Sequence, residues 1–221
     1  MKPPAWSFSS LNAFGTCPRQ YHAVKILKTV AETKGEATLW GTRFHEVAEL
    51  YLKGLQELPT EFEQFREYLG QFRFMPGTMA PELELGVNRK LEACDFHAPD
   101  VWCRGIIDVL KRYNGEAYVA DHKTGKRKPD SKQLKLFALL VFAHYPDIHT
   151  CRTAFHWIKT GEVDEATFTR DQIPEMWQAF VPELKQFLEA FKTDTFTPRP
   201  SGLCKKHCAV SDCEYCGIGR Y

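Results

Sequence analysis

The chain has 221 residues, of which 43% are hydrophobic and 26% charged, so it can bury a sizeable core and intrinsic disorder is excluded. Its formal net charge is +1, so any contact with nucleic acid must come from local clusters of basic residues. No apolar run approaches the ~18 residues that span a membrane, and the N-terminus has no signal-peptide character. We therefore expect a soluble intracellular protein.

The first part of the chain, 1–75, is predicted to be helical. Three helices are expected there: a short one capped by Ser9 or Ser10 and broken near Pro18, one over 38–54 and one over 61–72.

From residue 82 the chain changes to short runs rich in β-branched and aromatic residues, which are typical of strands. The expected strands are 81–88, 101–113 and 116–123, followed by a helix over 131–144, a hairpin around 159–161 and a long amphipathic helix over 173–192. This order predicts an α/β fold in which helices flank a central mixed sheet.

A tight turn predicts which residues of the first hairpin face one another. Asn114 and Gly115 favour a two-residue type I′ turn, because both central positions of that turn need positive φ. Counting outward from the turn places Asp108 opposite Asp121, with Cβ atoms ~5 Å apart. Two such carboxylates repel unless a cation lies between them, so they form either a metal site or a pair of exposed acids.

A basic run begins two residues after Asp121. Strand alternation directs Lys123 to the same face as Asp121, where an ammonium group beside a divalent cation suits phosphodiester cleavage. The basic residues that follow form either a solvated face or a surface for the DNA phosphate backbone with little base specificity, and they include Lys126, Arg127, Lys128 and Lys132.

Four of the eight cysteines lie within thirteen residues near the C-terminus: Cys204, Cys208, Cys213 and Cys216. Without an export signal, thiols this dense favour a metal centre over disulfides. One interpretation is a zinc knuckle formed by these four, with His207 as a substitute ligand.

Five segments, in order, resemble the RecB-like branch of the PD-(D/E)XK nuclease superfamily. They are 9–21 (S-x-L…C-P-x-x-[FY]), 41–49 (G-x-x-x-H), 105–108 (G-x-x-D), 121–125 ([DE]-x-K-[TS]-G), and Gln133 with Phe137 (Q-x-x-x-Y). The resemblance implies a restriction-endonuclease-like core at 82–192, a helical N-terminal part at 1–75 and a cysteine-rich metal-binding tail at 197–221, all in a single domain of 1–221.

The resemblance also implies roles for particular residues. Asp108 and Asp121 would ligate Mg²⁺ or Mn²⁺ together with His45 and the backbone carbonyl of His122. Lys123 would polarise the attacking water, and Gln133 would position the site or the DNA backbone. Glu49 and Glu84 are weaker candidates.

Iron–sulfur members of this family suggest a second interpretation of the cysteines. Those members carry one cysteine before the histidine motif and three near the C-terminus. The resemblance therefore implies a [4Fe–4S] cluster on Cys17, Cys204, Cys208 and Cys213, with Cys216 as an alternative ligand, and zinc remains the other possibility.

Three functions follow from these observations. The first is an exonuclease on linear or single-stranded DNA in recombination, repair or phage DNA processing, in the cytoplasm of a bacterial or phage-infected cell. The second is a structure-dependent endonuclease. The third is a non-catalytic DNA-binding subunit with a structural zinc or iron–sulfur centre. Any of these would bind DNA rather than a membrane, and a protein partner in a recombination or phage replication complex is possible.

Overall fold

The computed structural model describes residues 1–31, 35–128, 131–205 and 207–217. The chain groups into two compact units, Met1–Lys34 with Phe180–Tyr221 and Gly35–Ala179. Among the described residues, no helix has both the length and the apolar character needed to cross a lipid bilayer.

Helices supply most of the first unit and flank the sheet of the second. The α-helices of the described chain are α1 (Phe8–Thr16), α2 (Pro18–Tyr21), α3 (Glu36–Leu52), α4 (Arg66–Phe74), α5 (Ser131–His144), α6 (Ile173–Gln178) and α7 (Val181–Thr193). Short 3-10 or π segments lie at His22–Ile26, Thr60–Phe65, Arg170–Gln172 and Gly202–Lys205.

The second unit contains a mixed six-stranded sheet, as the sequence predicted. Its strands are β1 (Thr78–Asn88), β2 (Ala93–Cys94), β3 (Val101–Tyr113), β4 (Glu116–Lys123), β5 (Thr150–Trp157) and β6 (Glu162–Thr169), in the order β2-β1-β3-β4-β5-β6. Among the strands of the described residues, only β4 and β5 pair in parallel. A parallel pair needs a crossover connection, and α5 provides it.

Several helix boundaries differ from the predictions, including that of the helix expected over 61–72, which is the 3-10 segment Thr60–Phe65 followed by α4. Ser7, rather than Ser9 or Ser10, caps α1, because its hydroxyl accepts the Ser10 amide while the Ser10 hydroxyl bonds back to Ser7. The single helix expected over 173–192 is two, α6 and α7. Pro182 explains the break, since proline cannot donate the helical hydrogen bond and its ring clashes with the preceding turn.

An aromatic core holds α3 and α4 against the sheet. Phe44 of α3, Phe62 and Phe72 are almost fully buried and belong to the same cluster as Val109 of β3 and Ala120 of β4. Truncating such an aromatic side chain typically costs about 3–5 kcal/mol. This packing keeps α3 beside the middle of β3 and the end of β4, where the acidic residues lie.

Candidate active site

The β3–β4 hairpin has the register predicted from its turn. Pairing runs from Tyr113 with Glu116 out to Val109 with Ala120. The ladder ends there, one pair before the expected Asp108–Asp121 pair. Beyond that point the Asp108 carboxylate accepts a hydrogen bond from the backbone N–H of His122 at 2.6 Å. Asp108 is therefore held by the backbone of the strand that carries Asp121.

On its other side Asp108 faces a third acid, Glu82 of β1. The pairs Pro81–Val109 and Leu83–Ile107 bracket the Glu82–Asp108 position. Glu82 has a φ of 46°, in the left-handed region of backbone conformation. A residue other than glycine adopts this conformation at a cost of roughly 1–2 kcal/mol. Burial and the charge of Asp108 raise the pKa of Glu82 to about 7.

Sequence reasoning missed Glu82 and considered Glu84 instead. Glu84 is exposed, and its carboxylate lies 3.8 Å from the His97 ring. If the β1–β3 register were known, Glu82 could be placed beside Asp108 in the same way that the hairpin register places Asp121 there. No tight turn fixes that register, because residues 89–100 connect the two strands. The sequence therefore contains no local signal that singles out Glu82.

His45 of α3 completes a cluster with these two acids. Its Nδ1 lies 3.3 Å from Asp108 Oδ1 and 3.9 Å from Glu82 Oε1. Burial by itself would lower the pKa of His45, but the hydrogen bond to Asp108 and the charges of Asp108 and Asp121 raise it. Ligand atoms of His45, Glu82 and Asp108 all lie within 4.8 Å of one another, close enough to hold one metal ion.

Gly41 explains how α3 comes so close to the end of β4. A Cβ atom at this position would lie 2.6 Å from Oγ1 of Thr124, a distance that real side chains do not tolerate. A larger residue at 41 would force the Thr124 hydroxyl to move, so glycine favours the close packing of the helix that carries His45 against the residue following Lys123. This contact joins two of the segments noted in the sequence, 41–49 and 121–125.

Asp121, Lys123 and Gln133 form a closed set of polar contacts. Lys123 Nζ lies 2.6 Å from Asp121 Oδ2 and donates to Gln133 Oε1 at 2.9 Å, while Gln133 Nε2 donates to Asp121 Oδ1 at 3.3 Å. Burial and the charge of Asp108 raise the pKa of Asp121 to about 6, although Lys123 opposes this shift. The lysine thus directs its ammonium group at a buried carboxylate and is held there by Gln133.

The side chain of His122 is anchored in the core. It is 3% exposed, and its Nδ1 lies 2.6 Å from the hydroxyl of Tyr68. Burial lowers the pKa of His122 to about 4, so the ring is neutral at pH 7. A second buried pair of the same kind joins Tyr118 to Nε2 of His156 at 2.7 Å. The backbone carbonyl of His122 stays a predicted ligand.

The acidic cluster lies in an open cleft with a cavity volume of about 590 Å³. Its lining includes His45, Glu49, Glu82, Ile106, Asp108 and Thr124. Glu49, one helical turn beyond His45, forms an ion pair with Lys53. Hard divalent cations such as Mg²⁺ and Mn²⁺ prefer carboxylate oxygens. The proximity of these acids and the raised carboxyl pKa values fit such a cation, because its charge would offset their repulsion.

The basic run after β4 is only partly free for DNA. Arg127 forms ion pairs with Asp164 and with Glu162, the latter at 2.7 Å. Lys126 and Lys128 are exposed, and Lys132 is half-buried. The charge of Arg127 is therefore balanced by acids of β6. Lys126 and Lys128 are the better candidates for phosphate contacts.

The cysteine cluster belongs to the first unit. Cys17 is buried at the junction between α1 and α2, and none of the eight cysteines, all of which lie in the described part of the chain, forms a disulfide. Burial raises the pKa of Cys208, and the neighbouring thiols of Cys216, Cys204 and Cys17 raise it further. The structure thus brings together residues nearly 200 positions apart in sequence.

Cys213 and Cys216 are buried in one apolar cluster with Cys208, Ala23 and Val210. Cys216 is 2% exposed, and its thiol donates to the Cys208 carbonyl at 3.2 Å. His207, considered as a substitute ligand, is exposed. All five cysteines named from the sequence therefore lie in or beside this cluster.

Comparison with known proteins agrees with this geometry. The family model of the PD-(D/E)XK nuclease superfamily matches residues 5–217. The Gene 69 proteins of Mycobacterium phages D29 and L5 are 26% and 25% identical to this chain. The alignments cover 75% of this chain and 59% of the D29 protein, and 78% of this chain and 85% of the L5 protein.

A candidate exonuclease from Eubacterium rectale has a similar fold, with a TM-score of 0.53 and 14% identity over 98% of this chain and 88% of that one. At this level of identity the likeness concerns the fold alone. The family model, in contrast, spans nearly the whole chain and includes every residue of the acidic cleft. The chain therefore belongs to the PD-(D/E)XK nuclease superfamily.

Proposed function

We propose that the protein is a metal-dependent deoxyribonuclease of the RecB-like branch, acting as an exonuclease on linear or single-stranded DNA. The observation that carries this proposal is the convergence of Glu82 and Asp108 with His45 in an open cleft. The buried Asp121, paired with Lys123, is close enough for the charge of Asp108 to raise its pKa. Few arrangements other than a cation site make three close carboxylates favourable in a partly buried position.

In this proposal Mg²⁺ or Mn²⁺ is held by Asp108 and Asp121, with His45, Glu82 and the backbone carbonyl of His122 completing the ligand set. The cation would polarise the phosphoryl oxygen and lower the pKa of a bound water. Gln133 keeps the Lys123 ammonium directed into the site, where it orients the water and stabilises negative charge developing on the phosphate. Lys126 and Lys128 contact the DNA backbone.

Two observations support an exonuclease. The cleft is open, and the Eubacterium rectale protein with a similar fold is described as a candidate exonuclease. The related proteins encoded by phages favour a role in phage DNA processing, recombination or repair, in the cytoplasm of the bacterial or infected cell. A protein partner in a recombination or phage replication complex is part of the same proposal.

The test is incubation of anaerobically purified protein with Mn²⁺ and end-labelled linear DNA, beside closed circular DNA and a Lys123→Ala control. Loss of the linear DNA alone, abolished in the variant, is the expected result. Equal cutting of circles would replace the exonuclease with a structure-dependent endonuclease. If folded, metal-loaded protein cuts neither substrate, the non-catalytic DNA-binding subunit becomes the better account.

We further propose that the cysteines hold a structural [4Fe–4S] cluster, within a single nuclease domain made by the whole chain. The proposed ligands are Cys17, Cys204, Cys208 and Cys216. The first three also belong to the ligand set expected from the sequence, in which Cys213 is the fourth. The burial of Cys216 and its closeness to Cys208 favour it over Cys213 as the fourth ligand. Iron, sulfide and zinc analysis of anaerobic protein separates this proposal from a zinc site, which would contain zinc and no acid-labile sulfide.

A further inference from the structure

A second pocket lies at the opposite end of β3 and β4 from the acidic cleft. It has a volume of about 380 Å³, within the size range of small-molecule sites, and is lined by residues of four strands and of the segment before β1. Glu116, at this end of β4, is five residues from Asp121, or ~17 Å along the strand. Tyr118 lines the pocket and is three positions from Asp121, so alternation places the two on opposite faces of β4.

Strand register brings the lining residues into two adjacent rows. One row runs across four strands through Lys111, Tyr118, Arg152 and Thr167. The next row contains Tyr113, Glu116 and Thr150. Because paired residues share a face, all of these side chains project to the same side of the sheet. Two cations, two tyrosines and two threonine hydroxyls therefore surround one space.

Lys111 is the buried cation of this pocket. The residue is 5% exposed, and its ammonium donates to the Gly77 carbonyl at 3.1 Å. An ammonium group has three donors, so this bond leaves two for a ligand. Burial also lowers the pKa of Lys111, and an anion in the pocket would favour its charged form.

Arg152 is the exposed cation. Its guanidinium lies over the Tyr118 ring at 4.7 Å from the centroid, which fixes the orientation of its planar donor fork. Within the part of the chain that the structure describes, neither Arg152 nor Lys111 forms an ion pair with a carboxylate. Glu116 lines the pocket, so the pocket contains a carboxylate acceptor as well as donors.

We propose that this pocket binds a nucleotide phosphate, with Arg152 and Lys111 on the phosphate and Tyr113 against the base. The fork of an arginine matches phosphate geometry, and the Tyr113 ring is 54% exposed and available for stacking. Glu116 can accept from an exocyclic amino group of the base. The phosphate chemistry follows from the pocket alone, whereas the choice of a nucleotide rests on the proposed nuclease function.

The nucleotide phosphate could come from a free mononucleotide or from a nucleotide within a DNA strand. The experiment measures binding of inorganic phosphate, 5′-deoxyadenylate and a short single-stranded oligonucleotide to the full chain by calorimetry. EDTA is present, so that no divalent cation can hold phosphate at the acidic cleft. Arg152→Gln is the test variant, because its exposed side chain can be changed without disturbing the core.

Arg112→Gln is the matched control. Arg112 is adjacent to Lys111 and therefore lies on the opposite face, and its guanidinium also covers a tyrosine, Tyr145, at 3.9 Å. The two variants thus lose the same charge and the same kind of ring contact. We expect Arg152→Gln to raise the Kd for phosphate and deoxyadenylate about tenfold. Arg112→Gln should leave both values unchanged.

The three ligands and the variants distinguish the possible outcomes. An effect of Arg152→Gln on deoxyadenylate identifies a mononucleotide site, and an effect on the oligonucleotide alone identifies a contact with a DNA strand. Equal binding by Arg152→Gln and the unmodified protein, or an equal loss in Arg112→Gln, overturns the proposal. Loss of phosphate binding in Lys123→Gln also overturns it, because the ligand would then be held by the lysine beside Asp121 and not by this pocket. DNA cleavage is measured separately, so an inactive nuclease leaves the binding result interpretable.

Discussion

The acidic cleft and the cysteine cluster differ in what holds their residues in place. The carboxylates lie on strands of a sheet, and protein groups fix them: the His122 amide holds Asp108, and Lys123 with Gln133 holds Asp121. The C-terminal cysteines lie on turns and a short 3-10 segment with few other buried groups. We infer that the cleft is formed without its metal, whereas the cysteine region depends on its metal for structure.

The largest expected effect is on catalysis in the cleft. Lys123→Ala should lower the rate of DNA cleavage by about 10³-fold, because it removes the cation that stabilises developing charge. Its circular dichroism should stay near that of the unmodified protein, while the melting temperature should fall because the buried Asp121 carboxylate loses its cation. Lys90→Ala, an exposed lysine of the same unit, is the control and should cut at the normal rate. Retained cleavage in Lys123→Ala would remove the proposed role of this residue.

The next largest effect is on the stability of the cysteine region. Cys208→Ser should lose the proposed metal centre and lower the melting temperature by roughly 10 °C, because metal binding there would contribute folding free energy. Metal content and differential scanning calorimetry measure both changes. Cys94→Ser, on β2, is the control and should keep its metal. An unchanged metal content in Cys208→Ser would contradict the proposed ligand set.

Glu82 tests whether β1 contributes to the metal site. Glu82→Gln removes one negative charge but keeps the shape of the side chain, so the Mn²⁺ affinity should fall by about 100-fold. Electron paramagnetic resonance of free Mn²⁺ measures this without DNA. Glu84→Gln, two residues along the same strand, is the control. Equal Mn²⁺ affinity in the two variants would exclude Glu82 as a ligand.

The smallest effect concerns the buried contact that anchors His122. Tyr68→Phe removes the hydroxyl bonded to His122, whose backbone N–H holds Asp108, so Mn²⁺ affinity should fall by about tenfold. Tyr118→Phe removes the equivalent hydroxyl from His156 and should lose similar stability without changing Mn²⁺ affinity. If both variants bind Mn²⁺ equally, the Tyr68 contact supports the fold and not the site.

Short-range sequence patterns predicted the β3–β4 part of the site, because a tight turn determines its geometry. Asn114 and Gly115 fixed the β3–β4 register through a two-residue turn, and the bounds of β3, β4 and α5 follow directly from their residue patterns. Contacts between segments that are distant in sequence could not be predicted from such patterns. Glu82 depends on the β1–β3 register, and the pairing of Arg127 with Asp164 depends on how β6 lies beside the loop after β4.

The most direct test of the central claim is Mn²⁺ titration of metal-free protein, with DNA cleavage and circular dichroism followed in the same samples. The account predicts a folded protein that is inactive in EDTA and gains cleavage as Mn²⁺ binds. Asp108→Asn should fold normally, bind Mn²⁺ weakly and stay inactive. Cleavage in EDTA, or full cleavage by Asp108→Asn, would contradict a metal-dependent nuclease built on these carboxylates.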